Sequence, residues 1–378
     1  MKTLLIIAGE TSGDKHAAHL VESMKRKGNV QVVGIGGDKM RAAGVELLHH
    51  VREMSIMGFA EIVSKLPFFR KVRRDLLNAV EAEKPSAVIL VDYPGFNLRF
   101  AELAKRKGLK VIYFISPQVW AWGKGRVKKI RRTVDLMLTI FKFEEDMYKR
   151  EGVDAHFVGH PLLDEMKNPG ENEIQNFRSR YSNMGNKLLA LLPGSRMQEI
   201  NHILLTMLNS VRILKEELRQ EEVNVDVVIG CAPGIDDRVY KEIMSKSGVQ
   251  AHLSREVDLL MGSADAGIIT SGTATLEAAL HDLPMVVVYR TSAVNYLMGR
   301  FLVKLNSISL VNIIAQKKIV EELVQNDFKP HKAAGIIKEI LTRNGVADEI
   351  RQKYVELKKI LGEPGASDRA AELILKMV

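Results

Sequence analysis

Short, nearly wholly apolar runs that alternate with helix-like segments constrain this chain more than any other feature. In the first half, Leu4–Ala8, Val30–Ile35, Ala87–Val91, Lys110–Ile115 and Leu136–Ile140 read as strands. Lys15–Lys27 reads as a helix closed by Gly28. Asn97–Lys107 reads as a second helix, with Phe96, Phe100, Leu103 and Ala104 on one face and Gly108 as its stop. Turn signals at His160-Pro161 and Lys167-Asn168-Pro169-Gly170 interrupt the pattern. It then restarts with Leu188–Leu192, Val225–Ile229, Ala266–Ile269 and Met285–Val288, each followed by helical sequence. Alternation of this kind builds parallel βαβ units. The expected fold is α/β, with two Rossmann-like doubly wound domains and a cleft between them. The expected boundaries are 1–168 and 169–344, with the helices of 345–378 packing back on the first domain. A break is expected there at Gly362-Glu363-Pro364-Gly365.

A chain of 378 residues has room for two such domains. A single cysteine, Cys231, excludes an internal disulfide framework. The apolar run at the N-terminus is too short for a secretory signal, and no run approaches the roughly 18 apolar residues of a spanning helix. The expectation is a protein that is soluble or attached to a membrane surface. The net charge of +9 favours an anionic partner. Basic residues cluster at Lys65–Arg74, Lys105–Lys110 and Lys124–Arg132, although solvated faces look the same. No nucleic-acid-binding motif accompanies the charge, so no nucleic-acid partner is expected.

The most informative turn is Ser271-Gly272-Thr273-Ala274-Thr275-Leu276-Glu277. It follows a strand and opens a helix, where free backbone N–H groups bind anions. Glu277, one turn in, could accept hydrogen bonds from sugar hydroxyls. A second turn, Pro193-Gly194-Ser195-Arg196, repeats the arrangement after Leu188–Leu192. Ser195 with Gln198 forms a capping-box pattern, and Arg196 adds a forked cation suited to phosphate. Two anion-ready helix starts and a ribose-type carboxylate point to a nucleotide-sugar site.

In the first half, Gly9-Glu10-Thr11-Ser12-Gly13-Asp14 also joins a strand to a helix. It is neither a P-loop nor a dinucleotide fingerprint. Glu10 and Asp14 suit sugar hydroxyls or proton transfer; the alternative is a capped turn with Ser12 or Asp14 as N-cap. Asp92, after Ala87–Val91, is placed to take a proton from a sugar hydroxyl, or else to bond local backbone. Ser116-Pro117-Gln118-Val119-Trp120-Ala121-Trp122 carries both tryptophans, whose faces stack on sugars, line acyl chains or plug a core. Lys65, Leu66, Phe68, Arg70 and Lys71 mix apolar and basic side chains beside a core stripe of Phe69, Val72, Leu76 and Val80. Such a surface suits an anionic bilayer, although an ordinary amphipathic helix reads similarly. No metal is expected, because His49, His50, His156 and His160 lack partners at ligand spacing. Gly-x-Ser-x-Gly is absent.

Together these motifs resemble the lipid-A-disaccharide synthase family, inverting glycosyltransferases of the GT-B fold. The resemblance rests on the Gly9–Asp14, Ser55-Ile56-Met57-Gly58, Ser116–Trp122, Leu192–Arg196, Ser271–Glu277 and Tyr289-Arg290 stretches, in the family's order. It implies a UDP-2,3-diacylglucosamine donor and a 2,3-diacylglucosamine 1-phosphate acceptor, joined β-1,6 with release of UDP and without a cofactor. It implies that the second domain binds UDP and the first takes the acceptor. It also implies a peripheral place on the cytoplasmic face of the inner membrane, with dimerisation by C-terminal exchange in some members. Carried onto this chain, Asp92 is the expected general base, with Glu10 the competing candidate. Gly194, Ser195, Arg196, Ser271, Gly272, Thr273, Glu277, Tyr289, Arg290 and Asn312 are expected at the donor. Ser12, Asp14, Gln118, Trp120 and Trp122 are expected to line the acceptor. The family's usual Ser-Leu-Pro-Asn reads Ser309-Leu310-Val311-Asn312 here, and a Pro is also missing near Ile319-Val320-Glu321; both departures bear on the donor pocket's shape. The rival readings are another UDP-sugar GT-B enzyme, either a lipid-linked glycosyltransferase or a UDP-N-acetylglucosamine epimerase, and a non-catalytic peripheral membrane nucleotide-binding protein.

Overall fold

A computed structural model describes residues 1–54, 66–117, 119, 125–166, 169–291 and 307–378. The chain divides into two compact units, Met1–Glu165 with Leu361–Val378, and Met166–Ile360.

The first unit is built on a seven-stranded parallel sheet: β1 (Lys2–Ala8), β2 (Val30–Gly36), β3 (Glu46–His50), β4 (Ala87–Val91), β5 (Lys110–Phe114), β6 (Leu136–Thr139) and β7 (Ala155–Phe157). Their order in space is β3-β2-β1-β4-β5-β6-β7. Successive side chains of β1 enter different cores. Leu4, Ile6 and Ala8 pack under the helices Thr11–Lys27 and Ala366–Met377. Leu5 and Ile7 pack under Leu66–Glu83, Pro94–Arg106 and Arg126–Thr133. A strand covered on both faces needs a continuous apolar run, as the sequence shows.

The second unit repeats the plan with β8 (Lys187–Leu192), β9 (Val225–Gly230), β10 (His252–Ser254), β11 (Ala266–Thr270), β12 (Met285–Tyr289) and β13 (Glu321–Val324), ordered β10-β9-β8-β11-β12-β13. The long helix Met197–Arg219 buries Ile200, Ile203, Leu204, Met207, Val211 and Leu214, a helical stripe, against this sheet. The two doubly wound parallel sheets are those expected from the alternation.

Strand order reverses between β1 and β4 in one sheet and between β8 and β11 in the other. At such a switch point the loops leaving the carboxyl ends diverge and open a crevice. The Glu10 and Asp92 turns flank the first reversal, and the Arg196 and Ser271 turns flank the second.

The chain's return differs from expectation. The helix Val346–Leu361 packs on the second unit almost to its end, where Tyr354 is buried and donates its hydroxyl to Leu283 O at 3.1 Å. Only residues from Leu361 onward join the first unit. Asp164 accepts the backbone N–H groups of Gly365 and Ser367 and so caps the last helix from another part of the fold.

Candidate functional site

In the first unit, two turns meet at the β1/β4 reversal. A Cβ on Gly9 would fall 2.2 Å from Tyr93 Cδ1, so only glycine lets that ring lie on the first turn. The buried Asn97 amide donates to Asp92 O at 2.8 Å, Val91 O at 3.2 Å and Ile7 O at 3.4 Å, tying both strand ends together. Tyr113 donates its hydroxyl to Asp92 O at 2.6 Å. These bonds hold Asp92 and Tyr93 in left-handed backbone, each with φ of +46°. Such conformations cost about 1–3 kcal/mol apiece and persist only where the surroundings impose them.

The Asp92 side chain is half-buried. Burial and then the charge of Glu10 push its carboxyl up to about 6, against the opposing effects of the Tyr93 backbone N–H and His16. That value suits a general base near neutral pH. Glu10 is exposed and is the N-cap of the helix Thr11–Lys27, with no capping bond from its side chain.

That helix begins at Thr11, four residues before the expected start, so neither Ser12 nor Asp14 is its N-cap. Ser12 is exposed in the first turn. Asp14 does not line a sugar site. It is 4 % exposed, and its carboxylate accepts the backbone N–H groups of Gly37 at 2.6 Å, Met40 at 3.1 Å and Lys39 at 3.2 Å. It caps the helix Asp38–Ala42, and a Cβ on Gly37 would strike it at 2.6 Å. A buried carboxylate with three N–H donors has no reason to face a ligand.

In the second unit, a cleft of about 690 Å³ opens at the β8/β11 reversal. It brings together Gly194, Ser195 and Arg196 from one predicted turn and Ser271, Gly272, Thr273 and Glu277 from the other. The two helix starts differ. At the first, Glu199 accepts the N–H groups of Ser195 at 2.9 Å and Arg196 at 3.2 Å. The capping residue is thus Glu199, not Gln198, and an internal carboxylate already holds the anion's place. Gly194, at φ +113°, makes room for it; a Cβ there would lie 2.4 Å from Glu199 Oε2. At the second start, the helix Thr273–Leu280 has Gly272 as N-cap and no side-chain cap. Ser271 instead donates its hydroxyl to Ile308 O at 2.8 Å. The Arg196 side chain is 81 % exposed, with Glu199 Oε1 3.7 Å away.

The sequence reading missed Thr270 and Arg255 on this cleft. Among the described residues the buried Thr270 hydroxyl has no hydrogen-bond partner. Arg255 reaches back to the Ala232 and Ile235 carbonyls and Asp237, bracing the turn after β9. A lone arginine after a three-residue edge strand carries no local signal.

Three expected donor residues lie off the cleft. Asn312 is buried, and its side chain accepts Ile319 N–H at 2.7 Å and Val320 N–H at 3.0 Å while donating to Val320 O and Glu322. It is a clamp on the next turn. Glu322 also takes the N–H groups of Ile308 and Ser309 and the Ser309 hydroxyl, so it fixes the loop that Val311 leaves without the family's proline. Arg290 donates to Thr206 Oγ1 at 2.8 Å and Phe328 O at 2.6 Å and stacks on the Phe328 ring. Tyr289 ends β12, paired in register with Val324.

Phe68 is also not a free membrane anchor. It packs on the first unit's core, edge-on to Phe69 at 5.7 Å and His49 at 6.0 Å. Val72, Leu76 and Val80 are buried as expected. Arg70, Lys71, Arg73 and Arg74 stand exposed around a shallow groove. Lys65, Gln118, Trp120, Trp122 and Ser55-Ile56-Met57-Gly58 lie outside the described residues, as does the Leu66 side chain. Among the described residues, no cluster of His, Cys, Asp or Glu could hold a metal, and no helix is long and apolar enough to cross a membrane.

The family model described as lipid-A-disaccharide synthetase matches residues 4–377. The lipid-A-disaccharide synthase of Myxococcus xanthus (strain DK1622) is 39 % identical, over 99 % of this chain and 97 % of its own. That of Syntrophus aciditrophicus (strain SB) is 40 % identical, over 100 % and 98 %. Among solved structures, MurG of Acinetobacter baumannii superposes with a TM-score of 0.61 at 13 % identity, covering 100 % of both chains. The UDP-GlcNAc 2-epimerase of Neisseria meningitidis, solved with UDP-GlcNAc, gives 0.57 at 12 % identity, over 100 % of this chain and 98 % of its own; at such identity the likeness is one of fold.

Proposed function

The chain belongs to the lipid-A-disaccharide synthetase family, and on that premise we propose which of its residues perform the transfer. It is a glycosyltransferase of lipid A biosynthesis with a GT-B fold. It moves 2,3-diacylglucosamine from its UDP conjugate to 2,3-diacylglucosamine 1-phosphate, giving the β-1,6 disaccharide 1-phosphate and UDP.

In the reading proposed here, Asp92 takes the proton from the acceptor's 6-hydroxyl as that oxygen attacks the donor sugar. One observation carries this: its carboxyl, raised to about 6 at a strand-order reversal, is ionised at neutral pH yet basic enough to accept a proton. Glu10 tunes it. Inversion follows from direct displacement, without a covalent sugar–enzyme intermediate. The departing diphosphate gathers charge, and the Thr273–Leu280 helix start is the one with room for it. Arg196 swings onto the same phosphates, and Glu277 takes the ribose. With these groups supplying the positive field, no metal ion is required. Gln118, Trp120 and Trp122 line the acceptor.

Acyl chains on both substrates favour attachment at a membrane surface, on the cytoplasmic face of the inner membrane, through the exposed cations of Leu66–Glu83. The last helix packs on Thr11–Lys27, and exchange of that helix between two copies is the proposed route to a dimer.

The test is UDP release from purified protein given both diacylated substrates. Asp92→Asn lowers the rate by about two to four orders of magnitude while UDP still binds. Near-normal turnover in that variant would transfer the role to Glu10.

A further inference from the structure

Phosphates and ribose account for only one end of the second unit's cleft. The cleft is lined by loops that leave the carboxyl ends of β10, β9, β8 and β11, four strands that lie side by side in that order. Neighbouring strands are about 4.8 Å apart, so the turn after β11 stands roughly 14 Å along the sheet edge from the turn after β10. A nucleoside diphosphate with its phosphates at the Thr273 helix start is long enough to lay its base over the loops after β9 and β10. Cys231, Ala232 and Pro233 after β9, and Val257 and Met261 after β10, make that end largely apolar. Arg255 is also there, but its charge is met by Asp237 at 2.5 Å, and Asp258 adds a second carboxylate. A neutral planar ring suits these surroundings better than a phosphate does.

The wall after β9 is a turn that does not hold itself. Ala232-Pro233-Gly234-Ile235 has the residues of a type II turn, with Gly234 at φ +78°. Its own closing bond, from Ile235 N–H to Ala232 O, is long at 3.4 Å. Arg255 spans the same two residues. Its Nη1 donates to Ala232 O at 3.1 Å and its Nη2 to Ile235 O at 2.9 Å, so one guanidinium joins the first and last carbonyls of the turn. Asp237, at the start of the helix Asp237–Ser247, holds that guanidinium in place. The amide side of the turn is fixed independently. Ala232 N–H donates to the buried Tyr240 hydroxyl at 2.9 Å, and Cys231 N–H to Ser254 O at 2.8 Å. The carbonyl side therefore depends on a planar fork, which a lysine cannot reproduce.

We infer that Arg255 is a positioning residue for base selection: by stapling the Ala232–Ile235 turn it fixes the Pro233 wall of the subsite that takes the donor's uracil. A fixed wall excludes a larger ring; a loose one admits it. The inference rests on the reading that the diphosphate lies at the Thr273 helix start.

The experiment measures binding of UDP, ADP and inorganic pyrophosphate to the wild type, Arg255→Ala, Arg255→Lys, Asp237→Ala and Arg196→Ala, with a urea titration to check that each is folded. The wild type prefers UDP to ADP. Arg255→Ala weakens UDP by about ten-fold, leaves pyrophosphate within about two-fold and narrows the preference for UDP over ADP. Arg255→Lys behaves like Arg255→Ala, because a charge without the fork does not hold both carbonyls. Asp237→Ala moves in the same direction by less. A lysine variant with wild-type affinity, beside an alanine variant that loses pyrophosphate, would make Arg255 a cation for the phosphates instead. Equal losses of UDP, ADP and pyrophosphate would reduce it to general support of the fold, and unchanged UDP binding would remove it from the site. Should Arg255→Ala fail to fold, Arg255→Lys and Asp237→Ala decide. Arg196→Ala weakens UDP and pyrophosphate together. If it weakens neither, or if the wild type does not bind UDP, the donor reading itself fails; if it behaves as expected while the UDP-to-ADP ratio stays constant across the Arg255 variants, only this inference fails.

Discussion

Asp92 sits between opposed influences. Burial and Glu10 raise its proton affinity, and the Tyr93 N–H and His16 lower it. The sign for activity follows directly. In the proposed role of general base Asp92 works only when ionised, so kcat/KM is expected to fall as pH drops through about 6. Glu10→Gln removes the like charge and lets Asp92 ionise at lower pH, which moves the acid limb downward. A pH–rate profile of Glu10→Gln with its limb unmoved would detach Glu10 from the base. Glu10 and Asp92 were both legible as candidates, because polar residues after strands belong to turns at sheet ends. Their ranking was not, since it depends on half-burial and on His16 and Tyr93 as neighbours.

At the scale of elements, the four strands absent from the sequence reading are β3, β7, β10 and β13, the outer strands of the two sheets. Inner strands lie between helices on both faces and must be apolar throughout, so they stand out. Edge strands are half-solvated; Glu46–His50 and Glu321–Val324 mix charged and apolar residues and resemble loops. Helix starts show the same limit. Both turns of the second unit look anion-ready, yet Glu199 closes one of them and leaves the other open. Gly194→Ala tests that closure. Its Cβ would collide with Glu199 and its backbone is left-handed, so stability falls by about 1–3 kcal/mol in a urea titration. UDP binding weakens with it as the Arg196 turn shifts. Wild-type stability with wild-type UDP affinity would show the cap to be dispensable.

At the scale of the molecule, the net charge of +9 includes four exposed basic residues on Leu66–Glu83, the face proposed to meet a membrane. Each basic residue near an anionic leaflet contributes about 1 kcal/mol, enough for reversible docking and far too little for insertion. Replacing Arg70, Lys71, Arg73 and Arg74 with Gln reduces flotation with anionic liposomes, and high salt releases the wild type. A quadruple variant that floats undiminished would leave this face as plain solvated helix. Phe68 is unsuited to that test, because its partly buried ring packs on the core and its loss would cost stability instead.

The sequence by itself determined the two parallel sheets, the turns that carry Glu10, Asp92, Arg196 and Ser271, and the family. Each is written in local pattern: apolar runs for strands buried on both faces, and small or polar residues where a chain reverses. Only the tertiary structure decided which polar side chains are spent on the fold. Asp14, Asn312 and Arg290 were expected at the substrates, and each is bound by hydrogen bonds to another element. His16 carried no signal in the sequence and is held by Glu165, 149 residues away along the chain. A polar group's role is set by whether its hydrogen bonds are already satisfied, and those partners are fixed by packing rather than by neighbours in sequence.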